Sequence, residues 1–166
     1  MRLLNFNVEA QCTPSRSALM TGRLAIRSGT YEVPFGGGPE GLTQWEISIA
    51  KLLSAQGYAT GMWGKWHLGS TEERLPTHQG FDEWYGIPRS YDEALWPSLN
   101  ETGGMWPSLG NKQGWNANIV HPEPIYEARK GEKAKVVGEL DLEKRKTMEA
   151  EITSRAVEFI KRNALI

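Results

Sequence analysis

The sequence has a single cysteine, Cys12, among its 166 residues, and it has no long hydrophobic run. One cysteine excludes a disulfide within the chain, so cysteine usage does not assign a redox compartment. No apolar stretch approaches the roughly 20 residues that a membrane-spanning helix needs, so we expect no membrane span. The N-terminal stretch Met1–Val8 lacks the extended apolar region and the cleavage site of a secretory signal.

Neither sign of charge is in excess, since 19 Lys and Arg balance 20 Asp and Glu. The net charge of −1 provides no electrostatic footprint for nucleic acid, and we expect none to bind. Gly, Pro and Trp are abundant, at 18, nine and seven residues, which predicts many loops held by aromatic packing. The chain is long enough for one domain, yet it stops at Ile166 directly after an amphipathic pattern. That ending favours a partial chain.

The first part of the chain carries the local signals of a strand and a helix around the cysteine. Residues 3–8 suit a short strand that leads into the Cys12 loop. Pro14 at a first helical position, with Thr13 as its cap, predicts a short helix that ends at Gly22.

A second helix is predicted after a capping box formed by Thr43 and Glu46, and it ends at Gly57. Tyr58–Met62 then reads as a short buried strand. Helix, glycine turn and strand in this order are typical of α/β proteins.

The rest of the chain divides into three stretches. Residues 64–124 are dense in Gly, Pro, Trp and Asn, which predicts long loops ordered by aromatic side chains. Residues 127–139 are charged and predict a surface hairpin or a linker. Residues 143–163 predict a helix with an apolar stripe of Met148, Ile152, Ala156, Phe159 and Ile160.

Cys12 is a candidate functional residue because of its neighbours. A lone cysteine is most often a small buried hydrophobe. The Thr13-Pro14 start, however, places Cys12 just before a helix N-terminus, where free amides favour an anion. Arg16 lies one turn further and presents a planar donor fork suited to sulfate or phosphate. The residues alone leave two readings open, a low-pKa thiolate or an anion-binding site.

The segment from Cys12 to Arg23 resembles the type I sulfatase signature, C-x-P-S-R followed by an apolar turn and T-G-R. The resemblance implies that a dedicated enzyme converts Cys12 to formylglycine, and that Pro14, Ser15 and Arg16 form part of its recognition sequence. It also implies that Arg16 holds the hydrated aldehyde. We expect Arg23 to anchor the end of the helix.

A second stretch, from Gly57 to Gly69, resembles the other sulfatase signature, G-Y-x-T with a downstream G-K-x-H. Lys65 and His67 are two positions apart, so an extended strand end would project both to one face, a geometry suited to an oxyanion. By resemblance, Lys65 binds the sulfate and the formylglycine oxygen, and His67 assists proton loss from the diol. The plain alternative is a solvated lysine and a satisfied loop histidine.

The stretch from Leu75 to Ile87 resembles the family's H-G-F-D-x-F-x-G segment, although Gln79 interrupts the spacing. We expect loop architecture here, with turns at Gly80 and Gly86 and with Phe81 and Trp84 packed inside. The tryptophans are predicted to be core or loop-anchoring residues rather than to stack on carbohydrate.

Ser90 falls where some arylsulfatases place a substrate-contacting serine, and an ordinary turn serine is an equal alternative. His78 and His121 are predicted to be structural or surface residues.

The resemblance implies an α/β fold of the alkaline-phosphatase-like class, a mixed or parallel sheet flanked by helices, incomplete in this chain. Residues 1–166 would form part of a catalytic domain that lacks the N-terminal Asp-Asp strand and the C-terminal half. The implied activity is that of an arylsulfatase-like sulfuric ester hydrolase. A phosphonate or phosphate ester hydrolase built on the same site and a catalytically incomplete fragment are the alternatives.

The resemblance also implies a divalent cation, with Ca²⁺ favoured and Mg²⁺ as the alternative, because hard cations take oxygen ligands. In this chain only Cys12, as formylglycine, would ligate it, since spacing assigns no ligand role to Asp82, Asp92 or Asp141. The implied partners are a small-molecule or carbohydrate sulfate ester and the formylglycine-generating enzyme. Sulfatases of this type occur both exported and in the cytosol, so the compartment stays open.

Overall fold

The structure, a computed structural model, describes residues 2, 4–34, 38–91 and 123–164. Its centre is a four-stranded sheet in the order β1-β2-β3-β4. The strands are β1 (Gly61–Lys65), β2 (Glu83–Ile87), β3 (Glu123–Arg129) and β4 (Lys135–Leu140). β1 pairs with β2 in parallel, whereas β2 with β3 and β3 with β4 are antiparallel. This mixed sheet confirms the predicted α/β class.

Among the described residues, four helices accompany the sheet: α1 (Cys12–Thr21), α2 (Ala25–Ser28), α3 (Ile49–Ala55) and α4 (Leu142–Asn163). Two 3-10 turns, Glu72–Arg74 and Pro76–Gln79, lie between β1 and β2. The predicted hairpin over 127–139 is confirmed as the β3–β4 pair.

The predicted long helix is confirmed as α4, and its apolar stripe faces the sheet. Asp141 caps its first turn by accepting a hydrogen bond from Lys144 N at 2.7 Å. Met148 is fully buried, and Phe159 packs on Trp63 with ring centroids 4.9 Å apart. Ile160 is the exception in the stripe, because it is 62% exposed.

Two buried clusters lie against the sheet, one on each face. Neighbouring residues of a strand point to opposite faces, so Trp84 belongs to one cluster and Tyr85 to the other. The first cluster consists of Leu42, Trp66, Leu68, Leu75, Trp84 and Ala128. The second consists of Tyr85, Ile87, Ile125, Leu140 and Met148, so α4 covers that face. Trp66 and Trp84 are therefore core residues, as expected, while Trp45 is 81% exposed.

The predicted strand at residues 3–8 is wrong over the described residues. Residues 4–8 form no strand, and Phe6 and Val8 are exposed. A strand needs a neighbouring strand to take its backbone hydrogen bonds, and no described strand lies beside this stretch.

The helix starts also differ from the prediction. α1 begins at Cys12 rather than at Pro14, with Gln11 at the cap position, and it ends at Gly22 with φ +66° as expected. α3 begins after Ser48, whose hydroxyl accepts a hydrogen bond from Lys51 N at 3.0 Å. Glu46 makes no capping box, because its carboxylate is taken by Arg23 at 2.7 Å.

The strand predicted over 58–62 begins three residues later, at Gly61, because Gly57 with φ +82° turns the chain first. β2 lies within the stretch expected to be loops. Gly86 is not at a turn but inside β2, where a Cβ would overlap the carbonyl of Gly64 in β1. Gly80 is a turn residue, and Phe81 packs edge-on against Trp66, as predicted.

Some predictions lie outside the described residues. These concern Asp92, His121, Trp96, Trp106 and Trp115.

Candidate active site

Cys12 occupies the first position of α1 and is partly exposed. Its two successors, Thr13 and Pro14, are buried, so the first turn is anchored while Cys12 itself keeps access to solvent. The usual reading of a lone cysteine as a core hydrophobe therefore does not fit this position. A partly exposed thiol at a helix N-terminus is open to chemical conversion.

Thr13 is the first link between α1 and the Lys65–His67 segment. Its side chain does not cap the helix, since Thr13 Oγ1 donates to the carbonyl of His67 at 2.8 Å. The bond is buried, so it is shielded from competing water. The sequence did not single out this role of Thr13, because the partner lies 54 positions away.

Arg16 is the second link. Its Nε donates to the carbonyl of Trp66 at 2.6 Å, and its Nη2 donates to the carbonyl of Lys65. Burial lowers the pKa of the Arg16 guanidinium below its ordinary value, and the nearby Cys12 opposes that change. The planar fork thus grips two successive carbonyls, a geometry that a lysine does not reproduce.

His67 has an unusual backbone. Among the described residues it is the one non-glycine residue with positive φ, at +58°. Its N–H donates to the carbonyl of Pro88 at 2.9 Å, its carbonyl accepts from Thr13, and the residue is 2% exposed. The expectation that Lys65 and His67 share a strand face is wrong, because the chain leaves the extended conformation at His67. Left-handed backbone at a non-glycine residue costs about 1 kcal/mol or more and often marks functional sites.

Lys65 and Ser90 are in contact. Lys65 Nζ donates to Ser90 Oγ at 3.0 Å, and Ser90 is 4% exposed. The contact forms because Lys65 ends β1 and Ser90 follows β2, and these two parallel strands are neighbours. Trp66 N continues the ladder by donating to Ile87 O at 2.9 Å.

A chain of contacts therefore connects all five predicted site residues, which are Cys12, Arg16, Lys65, His67 and Ser90. Thr13 and Arg16 fasten the helix that begins at Cys12 to the Lys65–His67 segment, and Lys65 connects that segment to Ser90. The chemical roles of these five residues stay predictions. An ammonium, an imidazole and a guanidinium on segments joined in this way to a partly exposed, predicted nucleophile position suit the stabilisation of an oxyanion.

The described residues do not by themselves fit a divalent cation. Over residues 4–34, 38–91 and 123–164, no three His, Cys, Asp or Glu gather into a set that could hold a metal ion. Asp82 instead accepts from Thr60 N at 2.8 Å, and Asp141 caps α4. A hard cation wants about six oxygen ligands, so we derive no catalytic step through a metal.

Other charged residues have structural partners. Arg23 pairs with the buried Glu46 at 2.7 Å, which confirms that Arg23 anchors the helix end. His78 faces Glu72 at 3.4 Å on the surface, as expected of a surface histidine. No helix in the described part of the chain is long and apolar enough to cross a membrane.

The mixed sheet and flanking helices define an α/β protein, and similarity to a solved sulfatase structure places it in the alkaline-phosphatase-like class. The family model described as Sulfatase matches residues 2–163, so the chain belongs to the sulfatase family. Human arylsulfatase A is 50% identical over 99 residues, which are 56% of this chain and 19% of that protein. Mouse arylsulfatase G is 36% identical over 121 residues, covering 66% of this chain and 23% of that protein.

Two solved structures are also similar to this chain. PsFucS1 sulfatase from Pseudoalteromonas sp. superposes with a TM-score of 0.74 at 29% identity, over 93% of this chain and 31% of that one. Ps i-CgsB gives a TM-score of 0.62 at 28% identity, over 91% of this chain and 31% of that one. The chain thus spans less than a third of the length of each of these relatives.

Proposed function

We propose that this chain is the nucleophile-bearing part of an arylsulfatase-like sulfuric ester hydrolase. The observation that carries the proposal is the fork of Arg16 on the carbonyls of Lys65 and Trp66. It holds the helix that begins at Cys12 against the segment that carries Lys65 and His67. The two sulfatase signatures therefore meet in space, although the intervening sequence is long.

The reaction begins from formylglycine at position 12, made from Cys12 by a formylglycine-generating enzyme. The hydrated aldehyde has two hydroxyl groups on one carbon. One oxygen attacks sulfur, the S–O bond to the substrate breaks, and the alcohol leaves with a proton. The second hydroxyl then loses its proton, the C=O bond re-forms, and the C–O bond to sulfate breaks. A serine in this place would stop as a stable sulfate ester.

The surrounding side chains take roles that follow from their chemistry. Lys65 places a point charge on a sulfate oxygen and on the formylglycine oxygen. His67 takes the proton of the second hydroxyl, as an imidazole does near neutral pH. Arg16 holds the diol side of the site in register with the Lys65–His67 segment. Ser90 contacts the sulfate side through the hydroxyl that also receives Lys65.

Residues 1–166 would then be part of a catalytic domain, with the Asp-Asp strand and the C-terminal half supplied by the rest of a longer protein. The proposed cation is Ca²⁺ rather than Mg²⁺, and its carboxylate ligands would come from those other parts. Titration of the metal-free full-length protein with each ion tests the choice, since Ca²⁺ accepts flexible coordination and Mg²⁺ demands an octahedron.

The proposed substrate is a small-molecule or carbohydrate sulfate ester. One of the similar structures is Ps i-CgsB in complex with k-i-k-neocarrahexaose, a carbohydrate. This similarity favours a carbohydrate among the sulfate esters to be tried.

The test uses the full-length protein, co-expressed with a formylglycine-generating enzyme. Peptide mass spectrometry should show the thiol-to-aldehyde loss at Cys12, and the protein should turn over 4-nitrophenyl sulfate. Cys12→Ala should abolish turnover, whereas Cys12→Ser should release one equivalent of nitrophenol and stop.

Parallel kinetics on a phosphonate monoester serve as the control for reaction class. Preference for the phosphonate would replace the sulfatase proposal with its rival. An unmodified Cys12 under these conditions would count against the whole mechanism.

A further inference from the structure

Arg89 and Glu123 form an ion pair that extends the β2–β3 ladder. The antiparallel register runs from Glu83↔Arg129 to Gly86↔Tyr126. Continued along both strands, the same register places Arg89 opposite Glu123. Arg89 Nε lies 3.0 Å from both carboxylate oxygens, and Arg89 Nη2 donates to Glu123 Oε2 at 2.6 Å. A bidentate fork thus holds the chain beyond the end of β2.

The pair is buried, which makes each partner dependent on the other. The Glu123 side chain is fully buried, and that of Arg89 is 14% exposed. A buried charge that loses its partner is strongly unfavourable, because neither water nor a counter-ion replaces the lost contact. The pair therefore holds the backbone at Arg89 in one place relative to β3.

The segment around Arg89 makes hydrogen bonds with both Lys65 and His67. The next residue, Ser90, accepts the hydrogen bond from Lys65 Nζ at 3.0 Å. The preceding residue, Pro88, accepts from His67 N at 2.9 Å. Lys65 sits on β1, on the other side of β2 from β3, so the ion pair acts across the strand rather than by contact with Lys65.

We infer that the Arg89–Glu123 ion pair is a positioning device that sets the place of the Lys65 ammonium group through Ser90. The inference rests on the proposed function in one respect, namely that Lys65 holds the sulfate group. Neither Arg89 nor Glu123 belongs to the signatures that resemble the sulfatase family.

The kinetic test is a double-mutant cycle in the full-length protein, with 4-nitrophenyl sulfate as substrate. Arg89→Lys keeps the charge but loses the fork, and we expect kcat/KM to fall by about tenfold or more, since small misplacements cost that much. In a Ser90→Ala background the same change should alter kcat/KM by less than about twofold, because the link is already cut.

Acetylation of Lys65, measured by peptide mass spectrometry, supplies a readout that needs no turnover. Losing one hydrogen bond should make Lys65 react about three- to tenfold faster in Arg89→Lys, Glu123→Gln and Ser90→Ala. Glu127→Gln is the matched control, because it removes the ion pair to Arg155 from the same strand without touching Ser90. Its Lys65 should react at the wild-type rate.

The outcomes separate cleanly. If the losses of kcat/KM from Arg89→Lys and Ser90→Ala multiply in the double variant, the positioning role is overturned. An unchanged rate of Lys65 acetylation in the variants overturns it as well. If Glu123→Gln fails to fold, Arg89→Lys decides alone, because it retains the buried charge pair. Absent sulfatase turnover in the wild type, with acetylation still responding, refutes the proposed function and leaves the positioning of Lys65 standing.

Discussion

Arg16 holds two distant segments of the candidate site together, a role that its place in a recognition sequence does not indicate. Its fork reaches the carbonyls of Lys65 and Trp66, which lie about 50 positions along the chain. Thr13 adds a second bond from the same helix turn to the carbonyl of His67. At the scale of single residues, the nucleophile position and the predicted sulfate-binding segment are therefore joined by side chain to backbone bonds.

Arg16→Lys should weaken this joint. A lysine keeps the charge but reaches only one carbonyl. We therefore expect the free energy of unfolding to fall by roughly 1.5–3 kcal/mol, the range for a hydrogen bond to a charged group. The measurement is the thermal unfolding midpoint of the full-length protein. Arg27→Lys is the control, because Arg27 is exposed, and it should stay within about 0.5 kcal/mol of wild type. Equal losses of stability in Arg16→Lys and Arg27→Lys would contradict a structural role for the Arg16 hydrogen bonds.

Thr13→Val tests the second bond without changing the shape of the side chain. It leaves the buried carbonyl of His67 without that donor, which should cost about 1–3 kcal/mol. The positive φ of His67 should then relax, since the carbonyl is no longer held. A crystal structure of the variant measures φ directly, and an unchanged value would show that Pro88 alone holds the backbone.

At the scale of elements, close approach of β1 and β2 depends on Gly86. Gly64 and Gly86 are register partners, and a Cβ on Gly86 would overlap the carbonyl of Gly64. Lys65 is the last residue of β1, and Ser90 follows the end of the neighbouring strand β2. Strand separation would therefore disturb the Lys65–Ser90 contact as well as the core.

Gly86→Ala should be severely destabilising, by about 3 kcal/mol or more, because backbone atoms rather than a flexible side chain would have to move. Gly138→Ala in β4 is the matched control, since the nearest atom lies 4.0 Å from its added Cβ. It should change stability by less than about 1 kcal/mol. Thermal unfolding of both variants checks the order, and a Gly86→Ala protein as stable as Gly138→Ala would refute the close approach.

The cap of α4 gives a smaller effect. Asp141→Ala removes the acceptor for Lys144 N, which should cost about 1 kcal/mol. Asp141→Asn keeps a capping oxygen and should restore most of the loss. Amide hydrogen exchange in the first turn of α4 is the measurement, with faster exchange expected only in the alanine variant.

At the scale of the whole molecule, α1, α2, α3 and the link between α1 and α2 carry many exposed apolar side chains. Exposed residues there include Leu19, Leu24, Ile26, Ile49, Leu52 and Leu53. β1 is an edge strand of the described sheet, so one side of it has no strand partner among the described residues. Large apolar patches and open edges are typical of surfaces that bind further protein.

The 166-residue chain produced alone should therefore bind a hydrophobic dye and self-associate, whereas the full-length protein should do neither. Leu52→Glu should raise the solubility of the isolated chain by replacing an exposed apolar side chain with a charge, since Leu52 is 57% exposed. Size-exclusion chromatography with dye fluorescence measures both. A monomeric isolated chain without dye binding would contradict the partial-domain proposal.

Several features followed from the sequence alone because their signals are local. The period of apolar residues predicted α4, the charged stretch predicted the β3–β4 hairpin, and glycine predicted the end of α1 at Gly22 and the turn at Gly57, two residues after α3 ends. Resemblance to the two sulfatase signatures supplied the candidate residues Cys12, Arg16, Lys65 and His67, whose chemical roles stay predictions. Local backbone preference and side-chain chemistry are properties of a short segment, so they can be read without the fold.

The tertiary structure decided the rest, because the partners are far apart in the chain. Only the fold shows that β2 is a strand, since Gly80 and Gly86 indicated turns in this stretch and the neighbouring strands supply the ladder. Only the fold pairs Arg89 with Glu123 and aims Arg16 at two carbonyls. A hydrogen bond between distant segments depends on where the whole sheet places them, and a one-dimensional pattern carries no such distance.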